Sequence, residues 1–346
     1  MSRFVAIDSF AGAGGLSLGL MQAGWNVSLA FDHDPIAIKT YRHNLGSHAY
    51  QLEAEELQAT ELMRLAALRP GECDLLAGGP PCQGFSLQRR GARNDPRNQL
   101  SLVFLEWVRK LRPKAFLIEN VPAIRSVRGQ EVITAVERVV SDLGYGLSLS
   151  TINAVNYGVP QNRRRAFIVG MARHREFTWP DPHSVQLTVR DAIADLPSPP
   201  ADGTCHQSVP NHYREARLSA TNLARIRAVP EGGSRLDLPE HLQLDCHRSG
   251  HRHLDTYSRL AWDSPSGTIT ARFDSFTRGR FGHPVEDRSI TLREGARLQG
   301  FPDKFIFLGN REEGARMIGN AVAPPLAKTF GASLMQQLRQ SISTAA

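Results

Sequence analysis

The chain has 346 residues, 41% apolar and 22% charged, with 29 glycines and 21 prolines, a globular composition long enough for one large domain or two. No apolar run approaches the ~18–20 residues of a membrane span, and the glycine-rich start "MSRFVAIDSFAGAGG" does not fit a signal peptide. A net charge of +7 permits a polyanionic partner without requiring one, and four cysteines with no C-x-x-C pair point to a reducing, cytoplasmic setting rather than a disulfide framework.

Residues 1–180 alternate strand-like and helix-like segments. "RFVAIDSF" reads as strand, "GGLSLGLMQAG" as helix, "NVSLAFD" as strand and "PIAIKTYRHN" as helix. "CDLLAG" is strand, "QLSLVFLEWVRKLR" helix, "AFLIEN" strand and "GQEVITAVERVVSDLG" helix, before the strands "YGLSLSTINA" and "RRAFIVGMA". This is the pattern of an α/β protein with a doubly wound sheet and helices on both faces. From about residue 180 the texture changes. "WPDPHS" and "LPSPPADG" are proline-rich, and residues 200–285 are polar and rich in His and Arg, with short strand-like pieces such as "GTITARF". A helical signal returns at "TLREGARLQG", and "PPLAKTFGASLMQQLRQS" ends the chain. The expected division is a domain over 1–180, an insert over 181–288 and a return segment over 289–346 that completes the first domain.

The loop after the first strand, "DSFAGAGGLSLGL", holds Gly12, Gly14 and Gly15 and opens a helix. Such a turn permits close backbone approach to a ligand. It is not G-K-[ST], and Ser17 replaces the third glycine of G-x-G-x-x-G. Asp32 ends the second strand twenty residues after Gly12, where an acid can accept both hydroxyls of a ribose. Together they suggest a nucleoside cofactor; an ordinary turn with a capping acid is the plainer alternative.

Cys82 follows the strand "CDLLA" in "GGPPCQGFS". A free cysteine is usually a small buried hydrophobe. Here Pro80, Pro81 and Gly84 fix an unusual backbone at a strand's carboxyl end, which favours a nucleophile on a rigid loop. Glu119 ends the apolar strand in "FLIENVP", where poor solvation suits it to share a proton with a ligand. In "QNRRR", strand alternation sends Arg163 and Arg165 to one side, so that one guanidinium can bind a ligand edge or pair with Glu119. A solvated turn and a solvated basic patch are the alternatives. "CHRSGHRH" (Cys246 to His253) fits no common zinc spacing, and no metal is expected.

In these ordered motifs the chain resembles the DNA (cytosine-5) methyltransferase family of bacterial restriction-modification type: "FAGAGG", "GGPPCQGFS", "ENV", "QNRRR", "REGARLQGFPD" and "GNAVAPPLA". The resemblance spans the chain apart from about 180–260. It implies a mostly parallel S-adenosylmethionine-dependent methyltransferase sheet with a smaller target-recognition domain over 181–288. It further implies that Phe10, Ala11, Gly12, Gly14 and Gly15 hold the methionine part of S-adenosyl-L-methionine and Asp32 the ribose, although the family usually carries Glu there. The same resemblance implies that Leu100 packs near the adenine and that Asn320, in the C-terminal motif, lies beside the cofactor. The acid that contacts adenine has no clean counterpart; Glu53 is the candidate. The resemblance also implies that Cys82 is the nucleophile, that Glu119 contacts the base and that Arg163 and Arg165 support them.

The implied reaction is methylation of C5 of a cytosine flipped out of double-stranded DNA, through a Cys82–C6 adduct. Gln83 and Ser86 are candidates for holding the opened duplex. Thr268 and Thr270 resemble the family's threonine near the flipped nucleotide, and Arg272, Arg278 and Arg280 are candidates for guanine edges or phosphates. The chain starts at the first motif and stops soon after the last. A stand-alone monomeric enzyme, away from membranes and near the nucleoid, is therefore expected, with a cognate restriction endonuclease as a genetic partner. Three alternatives remain: a tRNA cytosine-5 methyltransferase, an inactive DNA-binding module, and a nicotinamide dehydrogenase. Intact Cys82 and Glu119 speak against the second, and those residues with the C-terminal motifs speak against the third.

Overall fold

The computed structural model describes residues 4–81, 99–215, 218–245 and 255–343. Seven strands form one sheet: β1 (Val5–Ser9), β2 (Asn26–Asp32), β3 (Ala49–Gln51), β4 (Leu75–Gly78), β5 (Ala115–Asn120), β6 (Tyr145–Asn153) and β7 (Arg164–Ala172). Their order is β3-β2-β1-β4-β5-β7-β6. β1 to β5 pair in parallel, and β7 runs antiparallel to both β5 and β6. Every residue of β4 and β5 is buried, which explains why these strands read as unbroken apolar runs rather than alternating ones. Five helices follow or separate the parallel strands: α1 (Gly15–Gln22), α2 (Pro35–Leu45), α3 (Ala59–Ala66), α4 (Gln99–Leu111) and α5 (Gln130–Leu143). Asp34 caps α2 by accepting from Ile36 N and Ala37 N, with Pro35 in the first turn, where its missing N–H costs nothing. The amphipathic faces of α3, α4 and α5 bury Leu62, Phe104, Trp107, Val108, Leu111, Val132 and Val136 against Ile7, Phe31, Leu76, Phe116 and Ile118 of the sheet. The strand order reverses between β1 and β4. The loops after these two strands therefore leave the sheet's carboxyl edge in opposite directions, the place where ligands of open α/β sheets bind.

Residues group into two compact units. The first holds the sheet, α1 to α5 and the C-terminal segment from Val322. The second comprises Ala154–Arg163 and His183–Ala321. It carries α6 (Val189–Ile193), α7 (Ala220–Ala228), a parallel pair of short strands β8 (Ser258–Arg259) and β9 (Arg280–Gly282), α8 (Leu292–Leu298) and α9 (Arg311–Asn320). The last helix, α10 (Pro324–Ser343), belongs to the first unit. Residues 289–321 of the return segment thus lie with the second unit. That unit buries ions as well as apolar side chains. Arg288 and Glu294, each 1% exposed, form a two-point pair at 2.8 and 2.7 Å. Glu294 also accepts from Thr291 N in a capping box. Burial alone would raise the Glu294 pKa, but the Arg288 guanidinium outweighs it and holds the carboxyl at about 2.

A second buried carboxyl has the opposite bias. Asp8, in the middle of the apolar β1, is wholly buried and accepts from Ser17 Oγ at 2.6 Å, while its Oδ1 has no hydrogen-bond partner among the described residues. Burial pushes its pKa up to about 7, against the weaker opposing pull of Ser17. Between its ordinary value and about 7 the folded state binds more protons than the unfolded chain. Stability from this group is therefore present at low pH, lost as pH rises through that window, and level above it. Asp8→Asn keeps an acceptor for Ser17 and cannot ionise. Urea melts at pH 5 and pH 7.5 should show the variant gaining on the parent at the higher pH; an equal difference at both values would show that Asp8 is ionised throughout.

Candidate active site

At the end of β1 the backbone enters the left-handed region at Phe10, with φ +56°, and again at Gly12 and Gly14. Gly14 has φ +98° and caps α1; a Cβ there would fall 2.5 Å from Leu45 and 2.7 Å from Tyr41. The loop is held from β2: Ala11 N donates to Phe31 O, and Gly12 N donates to Asp32 Oδ2 at 2.9 Å. Phe10 and Trp107 both pack against the Phe31 ring, with Trp107 edge-on at 5.4 Å. A Cβ built on Gly12 meets nothing within 4 Å, so the turn has an open side.

Asp32 accepts on its other oxygen from Asp34 N at 2.9 Å and lies 3.2 Å from His33 Nδ1. Burial would raise its pKa, yet the hydrogen bonds from His33, Asp34 and Gly12 together lower it, and the carboxylate stays ionised with lone pairs to spare. Its hydrogen bond to Asp32 raises the His33 pKa in turn. Glu53 is exposed at the start of a short 3-10 turn, immediately after Leu52, whose N–H donates to Asp32 O. Leu100 is buried in the first turn of α4 within the main core. Asn320, exposed at the end of α9, is counted with the second unit.

The pairing of β5 with β7 brings the acid and one arginine together. Glu119 Oε1 lies 3.1 Å from Arg165 Nε, with the two side chains 11% and 17% exposed. The pairing of β5 with β7 puts Glu119 opposite Phe167, two residues beyond Arg165, so both side chains project from the same face. The absence of a side chain at Gly79 makes room for the carboxylate, since a Cβ there would stand 3.3 Å from Glu119 Oε2. Asn120 Nδ2 donates to Pro80 O at 3.2 Å and fastens the exit of β4 to the end of β5. The described chain stops at Pro81. Cys82, Gln83 and Ser86 lie outside the described residues, as does the Cys246 to His253 run.

Arg163 stands elsewhere. β7 begins at Arg164, so strand alternation does not reach Arg163. Its buried guanidinium donates to Ile269 O at 3.1 Å and Ala321 O at 3.2 Å, all within the second unit. In that unit Thr268 Oγ1 donates to Asn162 O, and Thr270 is exposed. Arg272 is paired with Asp274 and Glu312. Arg280 spends its Nη1 on the carbonyls of Gly232, Gly233 and Arg259, so it holds the fold at this point. Arg278 is exposed and, among the described residues, has no ion pair. The described residues contain no cluster of His, Cys, Asp and Glu suited to a metal ion, and no described helix is long and apolar enough to cross a membrane.

The family model for C-5 cytosine-specific DNA methylases matches residues 4–336. The chain belongs to this family. It is a DNA cytosine-5 methyltransferase. The methylase is 33% identical to the Type II methylase M.HgiDII of Herpetosiphon aurantiacus, over 96% of this chain and 95% of that protein. It is 30% identical to the Type II methyltransferase M.AgeI of Thalassovita gelatinovora, over 97% and 99% of the two chains. Among solved structures, a protein described as a DNA modification methyltransferase encoded within an E. coli prophage superposes with a TM-score of 0.77 at 27% identity, covering 97% of this chain and all of that one. The S. pombe Dnmt2 methyltransferase shares the fold, with a TM-score of 0.62 at 18% identity and coverage of 97% and 99%. The methylase thus has the mostly parallel α/β sheet of S-adenosylmethionine-dependent methyltransferases. Gln161 and Gln299, absent from the sequence-based site, are both fully buried polar side chains; the only sequence signal for the first was its place at the head of "QNRRR".

Proposed function

We propose that this methylase transfers a methyl group from S-adenosyl-L-methionine to C5 of a cytosine flipped out of duplex DNA, through a covalent bond between Cys82 and C6. The observation that carries this reading is the Glu119–Arg165 pair set against Gly79 and Pro80, whose chain leads directly into Cys82. The glycine turn fits the cofactor: it is open above Gly12, and an ionised Asp32 stands beside it. Phe10 to Gly15 would hold the methionine part and Asp32 the ribose. When bound, the cofactor supplies the electrophilic methyl.

The chain's own residues then activate a ring that is a poor nucleophile. The Cys82 thiolate adds to C6, and the ring electrons move toward C5 and N3. Glu119 holds a proton at N3, and Arg165 stabilises the carboxylate left when that proton is transferred. C5 would then take the methyl group as the methyl–sulfur bond breaks, with that bonding pair left on sulfur. Removal of the C5 proton by a base restores the C5–C6 double bond and expels Cys82. Flipping costs a few kcal/mol of unstacking, met by contacts to the displaced strand. Gln83, Ser86, Thr270 and Arg278 are the candidates for those contacts, residues 181–288 are the target-recognition part, and a restriction endonuclease is the expected genetic partner.

Bisulfite sequencing of host DNA after expression of this chain tests the reading. Conversion-resistant cytosines are expected at one recurring sequence, and a Cys82→Ala chain should leave none. Methyl incorporation into tRNA with unmodified DNA would assign the chain to RNA instead.

A further inference from the structure

Asp32 and His33 stand at the corner where β2 ends and α2 begins. Asp32 Oδ1 accepts from Asp34 N at 2.9 Å, and Asp34 caps α2 through Ile36 N and Ala37 N. The turn is therefore tied down on both sides of His33. From the glycine loop, Gly12 N donates to Asp32 Oδ2 at 2.9 Å. A carboxylate offers about four lone-pair positions, so these two bonds leave one on each oxygen. The one on Oδ2 has no partner among the described residues. The one on Oδ1 faces the His33 ring, whose Nδ1 lies 3.2 Å away. The Asp32 side chain is 11% exposed and that of His33 is 69% exposed, so the ring can turn away while the carboxylate stays.

A ribose diol that pairs with both oxygens of Asp32 needs both remaining lone pairs, and the imidazole stands at one of them. That contact requires a proton on Nδ1, because a bare ring nitrogen and a carboxylate oxygen repel each other. An imidazolium always carries the proton there. A neutral ring can keep its single proton on Nε2 and let Asp32 go. His33 feels three carboxylates: Asp32 and Asp34 in its own turn, and Glu53, which follows Leu52, whose N–H donates to Asp32 O. The hydrogen bond to Asp32 raises the His33 pKa most, and Glu53 and Asp34 add to it, against a smaller opposing effect of burial.

We propose that His33 is a built-in competitor of the cofactor ribose: its imidazolium holds Asp32 Oδ1 in the free protein, and cofactor binding displaces the ring, which gives its proton to solvent. The proposal rests on the assignment of the ribose to Asp32. The free protein then binds more protons at this point than the complex does. Cofactor affinity therefore rises as pH climbs through the titration of His33 in the free protein, and levels off above it. With one proton exchanged, the slope is at most about tenfold per pH unit.

The test uses the full chain and S-adenosyl-L-homocysteine, which keeps the ribose and adenine of the cofactor and has no methyl group to transfer. Calorimetric titration is expected to give a Kd about fivefold lower at pH 8 than at pH 6, with a binding heat at pH 7 that depends on the ionisation enthalpy of the buffer. In His33→Ala the two Kd values should agree within about twofold, whatever their absolute size, and most of the buffer dependence should vanish. By NMR, the His33 ring, identified as the signal missing from His33→Ala, should titrate at lower pH when S-adenosyl-L-homocysteine is bound. This readout uses the parent chain, so it stands even if the variant folds poorly. A pH dependence that persists unchanged in His33→Ala, or a His33 ring whose titration does not move on binding, overturns the proposal. Asp32→Ala tests the assignment beneath it. That variant should raise Kd at pH 8 about tenfold or more, and a Kd equal to the parent's would take the ribose away from Asp32 altogether.

Discussion

Duplex DNA with 5-fluorocytosine at the target position should become covalently attached to this methylase, and the attachment should need both S-adenosylmethionine and Cys82. Addition of the thiolate to C6 joins protein and DNA midway through each turnover. Release requires C5 to lose its other substituent as a cation. A proton leaves readily; fluorine does not, so the methylated adduct persists. A denaturing gel should show one retarded protein–DNA band. Cys82→Ala should abolish the band and lower methyl transfer by more than about 10³-fold, since no other group supplies the bond to C6. The other cysteines are poor substitutes. Cys73 is wholly buried, and burial pushes its thiol pKa up to about 12, which leaves almost no thiolate at neutral pH. Cys73→Ser, Cys205→Ser and Cys246→Ser chains should therefore give the band as before. A cofactor-dependent band that survives Cys82→Ala would place the nucleophile elsewhere.

Replacement of the acid should be nearly as severe. Glu119→Gln is expected to lower kcat by about 10²–10⁴-fold, the range for loss of a positioned acid, because an amide cannot deliver the N3 proton. The cofactor Kd should stay within about twofold of the parent, since the glycine turn is fixed by β2 and Asp32 rather than by Glu119. The amide still fits the space over Gly79, so a melting temperature close to the parent's is expected. Arg165→Ala should lower kcat by less, because it removes only the cation beside the acid. Single-turnover methylation with saturating cofactor separates these steps. Turnover near the parent's in Glu119→Gln would take the acid out of the reaction.

The parts of the fold that were legible are those where one physical signal dominates. "NVSLAFD" and "AFLIEN" coincide with β2 and β5: β5, covered on both faces, opens on the apolar run 115–118, and β2 buries Val27, Leu29, Ala30 and Phe31. β3 has only three residues and no such run. α3 and α9, in stretches with mixed polarity, were equally silent. "GTITARF" looks like a strand by composition, yet no β ladder forms over residues 267–270, because side chains from Gln161 and Arg163 take the place of a neighbouring strand. Alternation placed Arg163 and Arg165 together, but β7 starts between them, so only Arg165 reaches Glu119. Asp8 was hidden because a single acid within "VAIDS" carries no sign of where its side chain ends.

The ten residues between β6 and β7 have a practical meaning for anyone wishing to retarget this enzyme. They join two strands of the first unit, yet they group with the second, so the chain passes between the units four times. The transplantable piece is consequently not a continuous cassette. A graft of residues 181–288 would bring a foreign peptide at position 269 to the host's Gln161 and Arg163, and would part it from the 298–299 and 321 carbonyls and amides with which those side chains are registered. Chimeras that carry 154–163 and 183–321 from one parent keep that lock and its keys together.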